Sequence, residues 1–209
     1  MDHILKLLED GMDFWIKVSS IVLLTGCSVF NLQLIQTDNE ILITDEIKNS
    51  PFAMQIIEIE NEFNEIFLLK DVSNDDQVWF KERKVFLTLN NGKIIKSIGL
   101  ENDFEIISYE GFKSFTDSTS LLRFKNPESD YLKIYFSYKL LKKGSMNKIV
   151  NNEEFDYQLI EESFHVPIIN WSGKNYYWID SENDIWMSKQ IIDPFGKKAR
   201  ITVIKKYSD

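Results

Sequence analysis

Asn90-Asn91-Gly92 sits between Val85-Phe86-Leu87-Thr88-Leu89 and Lys93-Ile94-Ile95-Lys96-Ser97-Ile98. Asn-Gly between two β-rich runs is the strongest short hairpin signal, because both central residues of the tight turn need positive φ. This stretch fixes two antiparallel strands, and the rest of the chain repeats its character. Ala53–Glu60 alternates in its second half, and Glu65–Lys70 follows it, so a strand pair is expected around a turn at Glu62–Asn64. Further β runs are Phe104–Tyr109, Leu121–Lys125, Tyr131–Tyr138 and Glu154–Val166, with Phe155, Tyr157 and Leu159 at alternate positions of the last. Tyr176–Asp180 and Asp184–Ile192 flank a turn at Ser181–Asn183, and Ala199–Tyr207 closes the chain. Gly111–Ser120 is polar and turn-like, and Lys139–Asn152, with its Lys-Lys-Gly-Ser run, is expected to be a loop.

About ten short strands with polar turns, and no helices alternating with them, predict a mainly β fold. The expected architecture is an antiparallel meander forming a curved sheet or barrel. A minor helix near the N-terminus is expected over Ile41–Lys48, ended by Asn49-Ser50-Pro51.

The one cysteine in the sequence, Cys27, follows Leu24-Thr25-Gly26 and the apolar run Phe14–Leu24. A short apolar core, then small residues, then cysteine is the pattern of a bacterial lipoprotein signal. The thiol takes a diacylglyceryl group as a thioether, Thr25 and Gly26 fit the peptidase cleft, and cleavage leaves Cys27 as the new N-terminus. The apolar run is interrupted by Lys17 and is shorter than the roughly 20 residues a membrane-crossing helix needs. Residues 1–11 carry Asp2, Glu9 and Asp10 against Lys6, which is a poor basic leader, so Met12 is the more ordinary start. The expected organisation is a signal peptide over 1–26, a lipidated tether with a short helix over 27–50, and a single β-rich, periplasm-facing domain over 51–209.

The chain carries 24 basic and 33 acidic residues, a net charge of −9. An acidic balance without a basic block argues against nucleic acid as a partner. No Gly-x-Ser-x-Gly elbow, phosphate-cradling loop or His-Glu-x-x-His helix occurs. His165, near Glu161 and Glu162, reads as a polar strand residue before Pro167 rather than a general base, since catalysis needs several convergent groups. Asp180-Ser181-Glu182-Asn183-Asp184 lacks the glycine and the closing glutamate of a calcium loop, and reads as a hairpin turn. No catalytic residue, metal or cofactor is therefore expected. Trp79, Trp171, Trp178 and Trp186 are the candidate sugar or ligand contacts, as a stacking platform; core packing is the competing role for the same rings.

Two blocks carry a resemblance. Gln77-Val78-Trp79-Phe80 through Ile98-Gly99-Leu100, and Tyr177-Trp178-Ile179-Asp180 through Lys189-Gln190, resemble the YjbF/GfcB family of outer-membrane lipoproteins, associated with group 4 capsule and exopolysaccharide production. The order of elements agrees from Ile43 to Tyr207. The second hairpin of the family usually turns on glycine, where this chain has Asn183-Asp184, residues that also tolerate such turns. The resemblance implies a lipid-anchored, periplasm-facing outer-membrane protein that assists capsule or exopolysaccharide assembly or export without catalysis. Its implied partners are the outer membrane, other polysaccharide-export proteins and polysaccharide. A lipid or polysaccharide carrier, or a polysaccharide-modifying enzyme, are the competing functions.

Overall fold

In the computed structural model, residues 36–37, 40–41, 44–82, 84–109, 116–125, 128–149 and 152–207 are described. The chain divides into two units, Met1–Leu42 and Ile43–Asp209. In the first, the short strands β1 (Gln36–Thr37) and β2 (Glu40–Ile41) pair antiparallel. The expected signal-cleavage residues Leu24, Thr25, Gly26 and Cys27 lie outside the described residues.

The second unit opens with α1 (Asp45–Asn49). Thr44 caps it by accepting from Ile47 N–H, and Ser50-Pro51 stops it. Twelve strands follow. They are β3 (Met54–Ile59), β4 (Phe63–Ser73), β5 (Asp76–Lys81), β6 (Val85–Asn90), β7 (Lys93–Ile98) and β8 (Phe104–Ile107). Then come β9 (Ser118–Phe124), β10 (Leu132–Asn147), β11 (Glu154–Val166), β12 (Trp171–Ile179), β13 (Ile185–Ile191) and β14 (Lys198–Lys205). Each pairs antiparallel with its neighbours in sequence, and β14 pairs with β3 to close a barrel.

The predicted hairpin at Asn91-Gly92 is present, with positive φ at both residues (45° and 69°). Three expectations need correction. The first turn falls at Glu60–Glu62, on Asn61 with φ 62°, so β4 begins at Phe63 and not after Asn64. β5 was not among the expected strands, because Gln77–Phe80 is a short run bracketed by charged residues. Lys139–Asn147 is strand and not loop: it pairs with β11, with Gly144 opposite Tyr157. A Cβ on Gly144 would meet the Tyr157 hydroxyl oxygen at 3.0 Å and the ring carbon bearing it at 3.1 Å, so this glycine serves ring packing and not a turn.

Cross-strand partners on the inner face are apolar: Phe136 faces Phe164, and Trp79 faces Leu87. Trp171 packs edge-on against Phe164, with centroids 4.8 Å apart. The space left between Lys93, Phe164, Trp171 and Gln190 is about 10 Å³, room for at most about one water. Outward positions carry residues such as Glu58, Lys133, Lys139, Lys189 and Arg200, all exposed. This is the reverse of a transmembrane barrel, whose apolar band faces outward around a polar lumen. Among the described residues no helix is long and apolar enough to cross a membrane.

Candidate functional site

One charged node breaks the apolar interior. Glu162 on β11 is 0% exposed, and Lys93, the first residue of β7, is 4% exposed. Their Nζ–Oε2 distance is 2.5 Å. Glu162 also accepts from Asn175 Nδ2 (2.7 Å), Tyr109 OH (2.8 Å), Tyr177 OH (3.1 Å) and Tyr138 OH (3.3 Å). The Lys93 ammonium lies over the rings of Phe136 (4.7 Å) and Tyr109 (5.3 Å). A buried charge persists only when paired and hydrogen-bonded, and this carboxylate is saturated. Burial pulls the Lys93 ammonium below its usual range, more strongly than Glu162 pushes it up. Burial, reinforced by the Glu162 charge, holds Tyr109 and Tyr177 well above the ordinary phenol range and raises Tyr138. The node is therefore a set of fixed partners sealed from solvent, and Glu162 has no free oxygen to offer a substrate.

The phase of β11 hid this node from the sequence. Phe155, Tyr157 and Leu159 suggest one inward face, which would turn Glu162 outward. The register shift between Leu140 and Lys142 leaves its extra residue on β10, so β11 alternates regularly; Phe155, Tyr157 and Leu159 lie on the face opposite Glu162, and Tyr138, Glu162 and Asn175 fall directly opposite one another on the inside. The signal that could have found it is the run Ile160-x-Glu162-x-Phe164-x-Val166, an acid in step with large apolar residues.

At one end of the barrel three turns meet. Asn74 and Asp75 from β4–β5, Asn91 and Gly92 from β6–β7, and Asn183 and Asp184 from β12–β13 line a cavity of about 260 Å³. Its walls include Gln55, Gln77 and Trp79. Gln190 fixes the rim by donating to Gly92 O (2.8 Å) and accepting from Ile94 N–H (3.0 Å). Gly92 is required there twice over: its φ is 69°, and a Cβ would approach the Ile185 side chain to 2.8 Å. No short motif marks this cavity, because its residues come from turns far apart in sequence.

The four tryptophans do not form a shared platform. Trp79 and Trp171 are 1% and 9% exposed, within the core. Trp178 and Trp186 are half-buried; Trp178 carries Lys189 over its ring at 5.8 Å, and Trp186 donates to Asp180 Oδ2 at 2.7 Å. His165 is exposed, and its side chain makes no hydrogen bond or ion pair among the described residues. Glu161 points away from Glu162 and pairs with Lys174 at 2.9 Å, which with burial opposing lowers its carboxyl from the ordinary range. Asp180, Glu182 and Asp184 gather closely enough to hold a cation. Two of the three already pair with Lys206, 2.5 Å from Asp184 and 3.2 Å from Asp180.

The family model described as "Group 4 capsule polysaccharide lipoprotein gfcB, YjbF" matches residues 28–204. Among solved structures, the hypothetical lipoprotein YmcC from Escherichia coli K12 is similar with a TM-score of 0.68 at 13% identity, over 78% of this chain and 88% of that one. A Parabacteroides distasonis ATCC 8503 protein described as a lipoprotein gives a TM-score of 0.38 at 10% identity, over 74% and 93%. No curated protein matches the sequence.

Proposed function

We propose, because the chain belongs to the YjbF family of group 4 capsule polysaccharide lipoproteins, that it is an outer-membrane lipoprotein assisting capsule or exopolysaccharide assembly or export without catalysing a reaction. Cys27 is the lipid attachment site, and the domain faces the periplasm. The observation that carries the reading is the family match, which begins at Ser28, the residue after Cys27. Ser28 in place of an aspartate after the cysteine favours the outer membrane in a Gram-negative cell. A carrier with a lipid inside the barrel is disfavoured by the small space, about 10 Å³, left between Lys93, Phe164, Trp171 and Gln190, and an enzyme built on Glu162 by the saturation of its carboxylate. An anchored domain acts by concentrating partners at the membrane, which needs no chemistry of its own.

The test is polysaccharide output in a deletion strain. The lipidated protein should restore it, and an exported soluble form lacking Cys27 should complement poorly. Mass spectrometry should find acyl mass on Cys27, and gradient fractionation should place the protein with the outer membrane. Full rescue by the soluble form, or an unmodified Cys27, would overturn the proposal.

A further inference from the structure

The turn cavity at the end of the barrel has the chemistry of a small binding site. Its volume, about 260 Å³, lies just under the roughly 300–1,000 Å³ typical of pockets for larger ligands. That suits one ring and not an extended chain. Five side-chain amides surround it, from Asn74, Asn91, Asn183, Gln55 and Gln77. Each amide carries both donors and an acceptor, which matches hydroxyls that also donate and accept. The charges on the lining cancel: Asp75 and Asp184 stand against Lys205 and Lys206, and Lys206 is already paired with Asp184. Neither an anion nor an apolar chain suits such walls.

Two further observations point to a ligand. Gln55 is 6% exposed, and its Oε1 has no hydrogen-bond partner. A buried acceptor without a donor is unfavourable, and a hydroxyl group could supply that donor. Asn74, Asn91 and Asn183 all have positive φ (56°, 45° and 68°). Glycine would meet those backbone needs without strain, yet asparagine puts an amide on the same rim three times. Those of Asn74 and Asn183 make no side-chain hydrogen bond among the described residues.

We propose that this cavity binds a single neutral sugar residue at the end or on a branch of a glycan, held by the amides of the three turns. The inference rests on the polysaccharide role proposed above and names the part of the polysaccharide that is recognised. Trp79 contributes wall and not a stacking face, because it is buried.

Trp79 also supplies the probe, since its indole N–H donates to Gln77 Oε1 at 3.3 Å. The full lipoprotein, ¹⁵N-labelled in detergent micelles, is titrated with methyl glycosides of glucose, galactose, mannose and N-acetylglucosamine, and with glucuronic acid. The Trp79 indole resonance is assigned by loss of its peak in Trp79→Phe. At least one neutral glycoside should shift it saturably, and glucuronic acid should bind at least threefold more weakly. The combined variant Asn74→Gly, Asn91→Gly and Asn183→Gly should bind at least tenfold more weakly while melting within a few degrees of the parent. Should that variant fail to fold, Asn74→Gly alone should weaken binding about threefold. No shift with any neutral glycoside, tighter binding of glucuronic acid, or unchanged affinity in the folded glycine variants would overturn the inference. The anchored role is judged separately, by polysaccharide output in the deletion strain.

Discussion

Glutamine at position 162 probes the charge pair inside the barrel. Glu162→Gln keeps the side chain's shape and leaves an oxygen that still accepts from the tyrosines around it. The Lys93 ammonium, 4% exposed, loses the counter-charge 2.5 Å away. Removing one partner of a buried pair costs about 3–5 kcal/mol. At roughly 2–4 °C per kcal/mol for a domain of this size, the melting midpoint should fall by ~6–20 °C. Lys93→Met should cost less, about 1–3 kcal/mol, because Glu162 keeps Asn175 and three tyrosine hydroxyls as donors. The double variant should be more stable than the sum of the two losses predicts, with a coupling of ~1–3 kcal/mol. Urea unfolding followed by tryptophan fluorescence measures all three. A loss below ~1 kcal/mol in Glu162→Gln, or strict additivity in the double variant, would refute the pairing.

Alkali should unfold the barrel steeply. Tyr109, Tyr138 and Tyr177 stay protonated in the folded state where the unfolded chain ionises them near pH 10, so their stabilisation is present below about pH 10 and lost as pH rises beyond it. Lys93, lowered by burial, works the other way, adding stability only until pH reaches its ordinary value of 10.5. Three losses outweigh one gain, so the net decline should set in near pH 10 and steepen above 10.5, at up to ~4 kcal/mol per pH unit for three groups. Absorbance at 295 nm should show three of the 8 tyrosines ionising together with the loss of near-ultraviolet dichroism; ionisation of all 8 before unfolding would contradict the buried node. Gly99→Ala should destabilise by about 2–4 kcal/mol, since φ is 94° and a Cβ would lie 2.3 Å from the Lys84 carbonyl oxygen. Gly196→Ala, with φ 85° and open space around it, should lose only about 1–2 kcal/mol; equal losses in thermal melts would remove the contact as the cause.

What could be read in the sequence was local. Asn91-Gly92 announces its hairpin because the turn's backbone needs are met by two adjacent residues, and Pro51 announces the end of α1 for the same reason. Lys139–Asn147 misled because Lys-Lys-Gly-Ser has the composition of a turn, while its conformation is set by pairing with Glu154–Glu161. Glu162 was hidden because Phe155, Tyr157 and Leu159 look like the inward face, while pairing with β10 and β12 turns the other face, with Ile160, Glu162 and Phe164, to the inside. The amide-lined cavity was hidden because each asparagine had a sufficient local explanation as a turn residue, and only barrel closure brings the three turns to one rim.

Barrel closure also orders events in time. Every seam but one joins strands consecutive in the chain; the exception sets Ile57 opposite Ile201 and Ile59 opposite Ala199. A chain made from its N-terminus can zip eleven hairpin seams as it emerges, each closing a short loop. The twelfth has to wait for the final 8-residue strand. Until then β3 and the newest strand present unpaired edges, which are templates for pairing with another chain. A pairing this distant in sequence is also the slow kind to find. Synthesis that stopped before Lys198 would leave nearly all of the core sequence in place and no barrel, so its last strand is the one on which escape from aggregation depends.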